Sequence, residues 1–232
     1  MNFQNLIPFL RINTLMELIC FLVALYTLNK EPNIWWKGMI LFLGITSSTE
    51  LLGFQLKLYY LKDPLHHLPN LWIYNLLLIF QILFISFLFE VIFRPYVRFY
   101  FLRNFGISVL GAIYLFETLE HGIFQYHKIT NIISSLIWII YGVMFYYYLL
   151  KEEYYIDLKT YSSFWWVAGI LFFNFGTTVA NISFPYLVRI KLGPHKFLSY
   201  YIYNILIIIL YSAWSYAFIC RKWEIMKLNG SS

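Results

Sequence analysis

The chain has 232 residues, of which 61% are hydrophobic and only 12% are charged. An ordinary soluble domain has about 45–50% apolar and about 25% charged residues, so a soluble fold of this size could not bury so much apolar surface. The 17 Lys and Arg exceed the 11 Asp and Glu, which gives a net charge of +6. The basic residues are scattered over short connections and do not form the basic face or arm that nucleic-acid binding uses. The sequence therefore predicts an integral membrane protein with no nucleic-acid partner.

Seven apolar stretches are long enough to cross the hydrocarbon core of a bilayer, which takes about 20 residues in a helix. In chain order they span approximately 9–28, 38–60, 71–93, 105–125, 130–150, 164–187 and 198–219. Short polar joints with Pro and Gly separate them, and no joint is long enough to hold a folded domain. Their continuous apolar character differs from the alternating segments of a membrane β-barrel. The sequence therefore predicts one all-α domain, residues 1–232, that forms an integral membrane seven-helix bundle.

Lys and Arg indicate the orientation of such a bundle, because cytoplasmic connections carry an excess of them. With the N-terminus outside, ten of the 17 Lys and Arg fall on the inner side and seven on the outer side. This excess favours the N-out/C-in orientation.

Polar residues inside the predicted spans are the candidates for function, because a charged group at the bilayer centre costs about 2.5–3.5 kcal/mol and usually faces a partner or a wet cavity. In the N-out orientation, four of them lie near mid-membrane and six lie in the outer half, whereas the inner half is nearly bare. This distribution predicts a polar cavity that opens outward. Its ligand-binding candidates are Glu50, Glu117, His121, Asn174, Asn181 and Asn204.

The same residues also have a structural interpretation. Asn side chains on buried helices often bond across to neighbouring helices, and Glu50 or Glu117 could hold the bundle together when protonated or bonded to tyrosine hydroxyls. Lys57 either extends its ammonium group to the membrane interface or pairs it with an anionic ligand. His66 and His67 have the composition of a metal site, but their unspecific spacing favours a solvated loop. We predict no bound metal and no cofactor.

The last predicted span, 198–219, lacks the Lys that binds retinal in microbial rhodopsins and the paired His of seven-helix zinc hydrolases. The stretch from Phe164 to Thr177 reads FWWVAGILFFNFGT, with an aromatic entry, a Gly, an aromatic pair and a second Gly. This stretch resembles the penultimate span of bacterial seven-transmembrane sensory modules that are associated with histidine kinases. The resemblance implies a sensory function in the bacterial inner (plasma) membrane. No kinase follows the last predicted span, so it also implies a separate cytoplasmic or membrane signalling partner.

Three functions stay open on these observations. The leading hypothesis is a membrane-embedded sensor or ligand-binding module with an outward-opening polar cavity. The first alternative is an integral membrane enzyme that acts on a lipid or lipid-linked substrate, with catalytic candidates Glu117, Glu50 and His121 as general acid or base. The second alternative is a small proton-coupled transporter. A basic inner surface either meets the partner or holds anionic membrane lipids, and it comprises Arg94, Arg98, Arg103, Arg221 and Lys222.

Overall fold

The computed structural model of the protein describes residues 12–63, 68–152, 156–193 and 196–230. Within these ranges the chain forms eight helices and a two-stranded antiparallel hairpin. In chain order they are α1 (Ile12–Leu28), α2 (Ile34–Lys62), α3 (Leu71–Phe93), α4 (Tyr100–His121), α5 (Lys128–Lys151), α6 (Ser162–Ile182), α7 (Phe184–Leu187), β1 (Lys191–Gly193), β2 (Lys196–Phe197) and α8 (Leu198–Gly230). His66, His67 and His195, and the beginning of the first predicted span, lie outside the described residues.

The ends of two helices differ from the predicted spans for local reasons. The sequence predicts a span to residue 125, but α4 ends at His121 because Gly122 follows it with φ +77°, a conformation that favours glycine. The sequence predicts a span to residue 187, but α6 ends at Ile182 and the four-residue α7 begins beside Pro185. Proline has no N–H to continue the hydrogen-bond ladder of a helix.

Five of the helices are long and apolar enough to cross a membrane, namely α2, α3, α5, α6 and α8. Large apolar side chains also lie on the outside of the molecule, where Leu119 is 88% exposed and Leu150 is 84% exposed. Extensive exposed apolar surface is typical of a protein that contacts lipid rather than water. The chain is therefore a multi-pass integral membrane protein.

Packing contacts divide the chain into two compact units. The first unit contains α2, α3, α4 and α5 as far as Ser134. Aromatic rings stack between α2 and α3, with Trp35 on Phe87 at 4.7 Å and Phe42 on Phe84 at 4.9 Å between ring centroids. Since later residues of α2 contact earlier residues of α3, the two helices are antiparallel.

The third helix of this unit, α4, is antiparallel to α3. Arg103, near the start of α4, forms an ion pair with Glu90, near the end of α3. The guanidinium of Arg103 also lies over the ring of Phe87, 4.4 Å from its centroid. Of the five cations predicted to form a basic inner surface, Arg103 therefore has its charge matched inside its own unit.

The second unit contains α1 from Leu15, α5 from Ser135, and all of α6, α7, the hairpin and α8. Its α6 and α8 are antiparallel and pack closely: a Cβ atom added at Gly169 would lie 3.1 Å from the Trp214 ring and 3.2 Å from the Ala213 Cβ. Trp166 stacks on Trp214 with ring centroids 5.9 Å apart. The first glycine of the stretch that resembles sensory modules therefore allows two helices to approach each other.

Candidate functional site

The six predicted ligand-binding residues are divided between the two units. Glu50, Glu117 and His121 belong to the first unit, and Asn174, Asn181 and Asn204 belong to the second. The contacts of each set are described within its own unit.

Glu50 and His121 have different surroundings. Glu50 is half-buried on α2 and accepts a long hydrogen bond of 3.4 Å from the Tyr74 hydroxyl on α3. His121 is exposed at the end of α4, where its Nε2 lies 3.5 Å from a carboxylate oxygen of Glu120. His121 thus faces solvent at the end of the helix.

The three asparagines have different surroundings. The Asn174 amide donates to the Ile170 carbonyl of its own helix at 2.8 Å. Asn181 accepts a 2.6 Å hydrogen bond from the Tyr203 hydroxyl, which links α6 to α8. Asn204 is buried, and its Nδ2 has no hydrogen-bond partner among the described residues.

Glu117 lies in α4 and caps the first turn of α5. Its Oε1 accepts from the Ile129 N–H at 2.8 Å, and its Oε2 accepts from the N–H and the hydroxyl of Thr130 at 2.8 and 2.6 Å. The residue that precedes α5 is His127, which is not one of the side chains that usually cap a helix. A carboxylate at this place satisfies free N–H groups and complements the positive end of the helix dipole.

His127 is the most deeply buried titratable group near this cap, with only 1% of its surface exposed. Its ring lies against Tyr114 with centroids 4.5 Å apart, and its Nε2 lies 3.2 Å from the Thr118 hydroxyl. That hydroxyl donates its single proton to the Tyr114 carbonyl at 2.8 Å, so it accepts from Nε2–H. This leaves Nδ1 with a free lone pair, and Nδ1 has no hydrogen-bond partner among the described residues.

The electrostatics favour a neutral imidazole. Burial lowers the pKa of His127 below its ordinary 6.5, the negative charge of Glu117 partly opposes this, and His121 adds to the lowering. At neutral pH, therefore, His127 presents a hydrogen-bond acceptor in a buried place rather than a cation.

Asn75 of α3 holds the turn that contains His127. Its amide donates to the carbonyls of Ile123 and Gln125 at 2.7 and 2.6 Å, and its oxygen accepts from the His127 N–H at 3.4 Å. One side chain therefore fixes both ends of the short connection between α4 and α5. The resulting α4–α5 cluster comprises Asn75, Tyr114, Glu117, Thr118, His127 and Thr130.

Sequence reasoning selected Glu117 from this cluster but missed His127. The available signal was a helix start without its own cap: α5 begins directly after His127, so an acceptor from elsewhere has to satisfy its first N–H groups. Glu117 lies about ten residues earlier on the neighbouring helix, across a short turn with a glycine.

A second polar cluster lies in the other unit and surrounds Arg221 of α8. Its guanidinium bonds both oxygens of Glu31 at 3.0 Å and one oxygen of Glu224 at 3.0 Å. Glu224 in turn accepts from the N–H and the hydroxyl of Ser162 at 2.7 and 2.9 Å, which caps α6. This Arg221 cluster ties together the end of α1, the start of α6 and the last third of α8.

Three surface cavities of about 550–610 Å³ are described, all in the second unit. None of the six predicted ligand-binding residues lines these three cavities. Among the residues that the structure describes, no group of three or more His, Cys, Asp and Glu is placed to hold a metal ion.

Comparison of the chain with protein-family models, with curated proteins and with solved structures finds no match. The fold defines a class, the multi-pass integral membrane proteins. A more specific function has to come from the chain's own residues.

Proposed function

We propose that this protein is a membrane-embedded sensor whose input site is the α4–α5 cluster, on the outer side of an N-out/C-in seven-helix bundle. The observation that carries the proposal is the buried imidazole of His127, whose Nδ1 has no hydrogen-bond partner in the described part of the chain and which lies beside the carboxylate that caps α5. Perturbed titratable groups of this kind cluster at functional sites.

The cluster couples binding to helix structure through a simple electrostatic change. A proton, or a ligand that transfers its proton, binds at Nδ1 of His127. Protonation makes the ring a cation, and the cation attracts Glu117, whose oxygens otherwise hold the N–H groups of Ile129 and Thr130. The first turn of α5 then loses its cap, so the input biases the conformation of a whole helix.

The seven-crossing topology is supported by helix directions within each unit. The helices α2, α3 and α4 alternate in direction. The helices α6 and α8 are also antiparallel, since Trp166 meets Trp214 and Asn181 meets Tyr203. The helices α1 and α8 run parallel, because Cys20 contacts Ser215 and Tyr26 contacts Lys222, as expected for the first and last of seven crossings. The excess of Lys and Arg on the inner side favours the orientation.

We further propose a bacterial inner (plasma) membrane location and a separate signalling partner, as the resemblance to sensory modules implies. The partner would meet the connection between α3 and α4, where Arg94 and Arg98 are exposed. Arg103 and Arg221 contribute little to this surface, because both bond to carboxylates within their own units.

The test is hydrogen exchange of the full chain in lipid nanodiscs at pH 7.5 and pH 5. We expect the opening equilibrium of the amides at residues 122–132, obtained from exchange rates corrected for the slower intrinsic exchange at the lower pH, to rise about tenfold or more, because the cap on α5 is released. His127→Gln keeps an N–H donor for Thr118 and cannot titrate in this range, so the rise should disappear. His121→Gln, at an exposed histidine of the same turn, is the matched control and should keep it. Equal behaviour of the wild type and His127→Gln would overturn the proposal.

The two other functions are separated by direct assays on the same preparations. Turnover of a lipid by the purified chain, abolished in Glu117→Gln without unfolding, would favour the enzyme. Solute uptake into proteoliposomes with a pH dependence that Glu50→Gln removes would favour the transporter. The sensor proposal expects neither activity.

A further inference from the structure

A groove runs between α1 and α8 in the second unit, and we call it the α1–α8 groove. Two of the described cavities, of about 560 and 610 Å³, share Tyr26, Thr27, Lys222 and Met226 and therefore adjoin each other along the two helices. The groove lies at the end of the unit where α1 stops and where the basic part of α8 begins.

The lining of the groove changes in character along its length. Toward the middle of the helices it is apolar, with Leu22, Val23 and Ile219. Toward the helix ends it becomes polar and basic, with Lys30 and Lys222. A gradient from aliphatic to cationic over about two helical turns matches the gradient in a phospholipid from acyl chain to phosphate.

Aromatic side chains lie at the transition. The Lys222 ammonium lies 3.9 Å from the centroid of the Tyr26 ring, and Trp223 lines the same cavity. Tyr and Trp favour the headgroup level of a bilayer, so the basic end of the groove is expected at that depth.

The charge of the groove is unbalanced because of the Arg221 cluster. Glu31 and Glu224 are both bonded to Arg221, and the side chain of Glu31 has no exposed surface. No carboxylate lines either cavity. The two lysines that do line the groove immediately adjoin the ion pair in sequence, Lys30 before Glu31 and Lys222 after Arg221. Counted together, three cations (Arg221, Lys30 and Lys222) and two carboxylates leave this end of the unit with a net positive charge, and the two lysines are the charged groups that line the groove.

We propose that the α1–α8 groove binds an anionic phospholipid, with Lys30 and Lys222 on the headgroup phosphates and an acyl chain along Leu22 and Ile219. Basic pockets between membrane helices on the cytoplasmic side are a known way to hold such headgroups. The groove shares no residue with the α4–α5 cluster, so the lipid proposal does not depend on the sensor proposal.

The test is native mass spectrometry of the full chain in neutral detergent, titrated with phosphatidylglycerol and with phosphatidylcholine. Lys30→Gln/Lys222→Gln should lower the affinity for phosphatidylglycerol about thirtyfold, which is roughly 2 kcal/mol at about 1 kcal/mol for each cation. Affinity for phosphatidylcholine should stay within about twofold. The control Lys151→Gln/Lys159→Gln removes the same charge from other basic positions of this unit and should change neither affinity.

Three results would overturn the proposal. An equal loss in both double variants would mean attraction by net charge alone. Displacement of the lipid by millimolar inorganic phosphate would mean that the site holds a free anion. A Leu25→Cys variant that cross-links to a second copy at high yield, without lipid binding in the wild type, would mean that another chain fills the groove.

Discussion

Replacing Arg221 by Gln tests how much a buried ion pair contributes to this membrane protein. The Glu31 side chain is 0% exposed, and Arg221 donates to both of its oxygens at 3.0 Å. Removing one partner of a buried pair costs about 3–5 kcal/mol, because the other charge stays buried. Water can enter beside Arg221, whose side chain is 23% exposed. We therefore expect the free energy of unfolding to fall by about 3 kcal/mol, the low end of this range. That is roughly a hundredfold in the unfolding equilibrium.

The assay is urea unfolding in neutral detergent, followed by tryptophan fluorescence. Wild type, Arg221→Gln, Glu31→Gln and the double variant form a thermodynamic cycle, and Lys227→Gln removes an exposed charge from the same helix as a control. The double variant should lose less free energy of unfolding than the two single variants lose together. We expect a difference of about 1 kcal/mol or more, since residues in contact do not act additively. If Arg221→Gln unfolds at the same urea concentration as Lys227→Gln, the ion pair has no part in stability and the reasoning fails.

Three further predictions concern packing, the turn and pH. Gly169→Ile should lower the free energy of unfolding by about 1–3 kcal/mol, because its side chain would overlap with Trp214. The control Gly111→Ile should be nearly neutral in the same urea assay, because a Cβ at Gly111 meets nothing within 4 Å. Asn75→Ala removes the donor of two short hydrogen bonds, so it should lower the free energy of unfolding by about 1–3 kcal/mol. Unchanged proteolysis of the turn at residues 122–127 would contradict this prediction. Folding lowers the pKa of His127 from 6.5. The neutral ring therefore makes its full contribution to the free energy of unfolding above about pH 6.5. This contribution falls as the pH drops toward the lower pKa of the folded state, and below that pKa it levels off. Unfolding at pH 7.5 and 5 in wild type and His127→Gln measures it, and equal pH dependence would refute it.

The helices could be predicted because their apolar length alone decides them, and all seven predicted stretches correspond to helices in the described residues. Their ends depend on single residues, and greater weight on Gly122 and Pro185 would have placed two of those ends correctly. The polar contacts were harder to predict. Glu117 was selected as a charge within an apolar stretch, but its bonds to α5 depend on how a short turn returns the chain, which no periodicity records.

The pairing in the second unit was beyond sequence reasoning for a different reason. Glu31 lies in an ordinary polar joint, and its partner Arg221 follows 190 residues later. Several joints of the chain contain Glu, Lys or Arg, so the sequence pattern does not distinguish this pair from other charged residues. The α4–α5 cluster and the α1–α8 groove both depend on such distant or indirect neighbours.

The same separation has a consequence for how the protein is made. At roughly 5–20 residues per second, a ribosome needs roughly 10–40 s to add the 190 residues between Glu31 and Arg221. Throughout this interval the nascent chain carries a carboxylate that must remain hydrated or protonated, since its arginine does not yet exist. Final closure around Glu31 therefore has to wait until the part of α8 that contains Arg221 has left the ribosome. A chain truncated before Arg221 would expose an acidic joint that the finished protein buries.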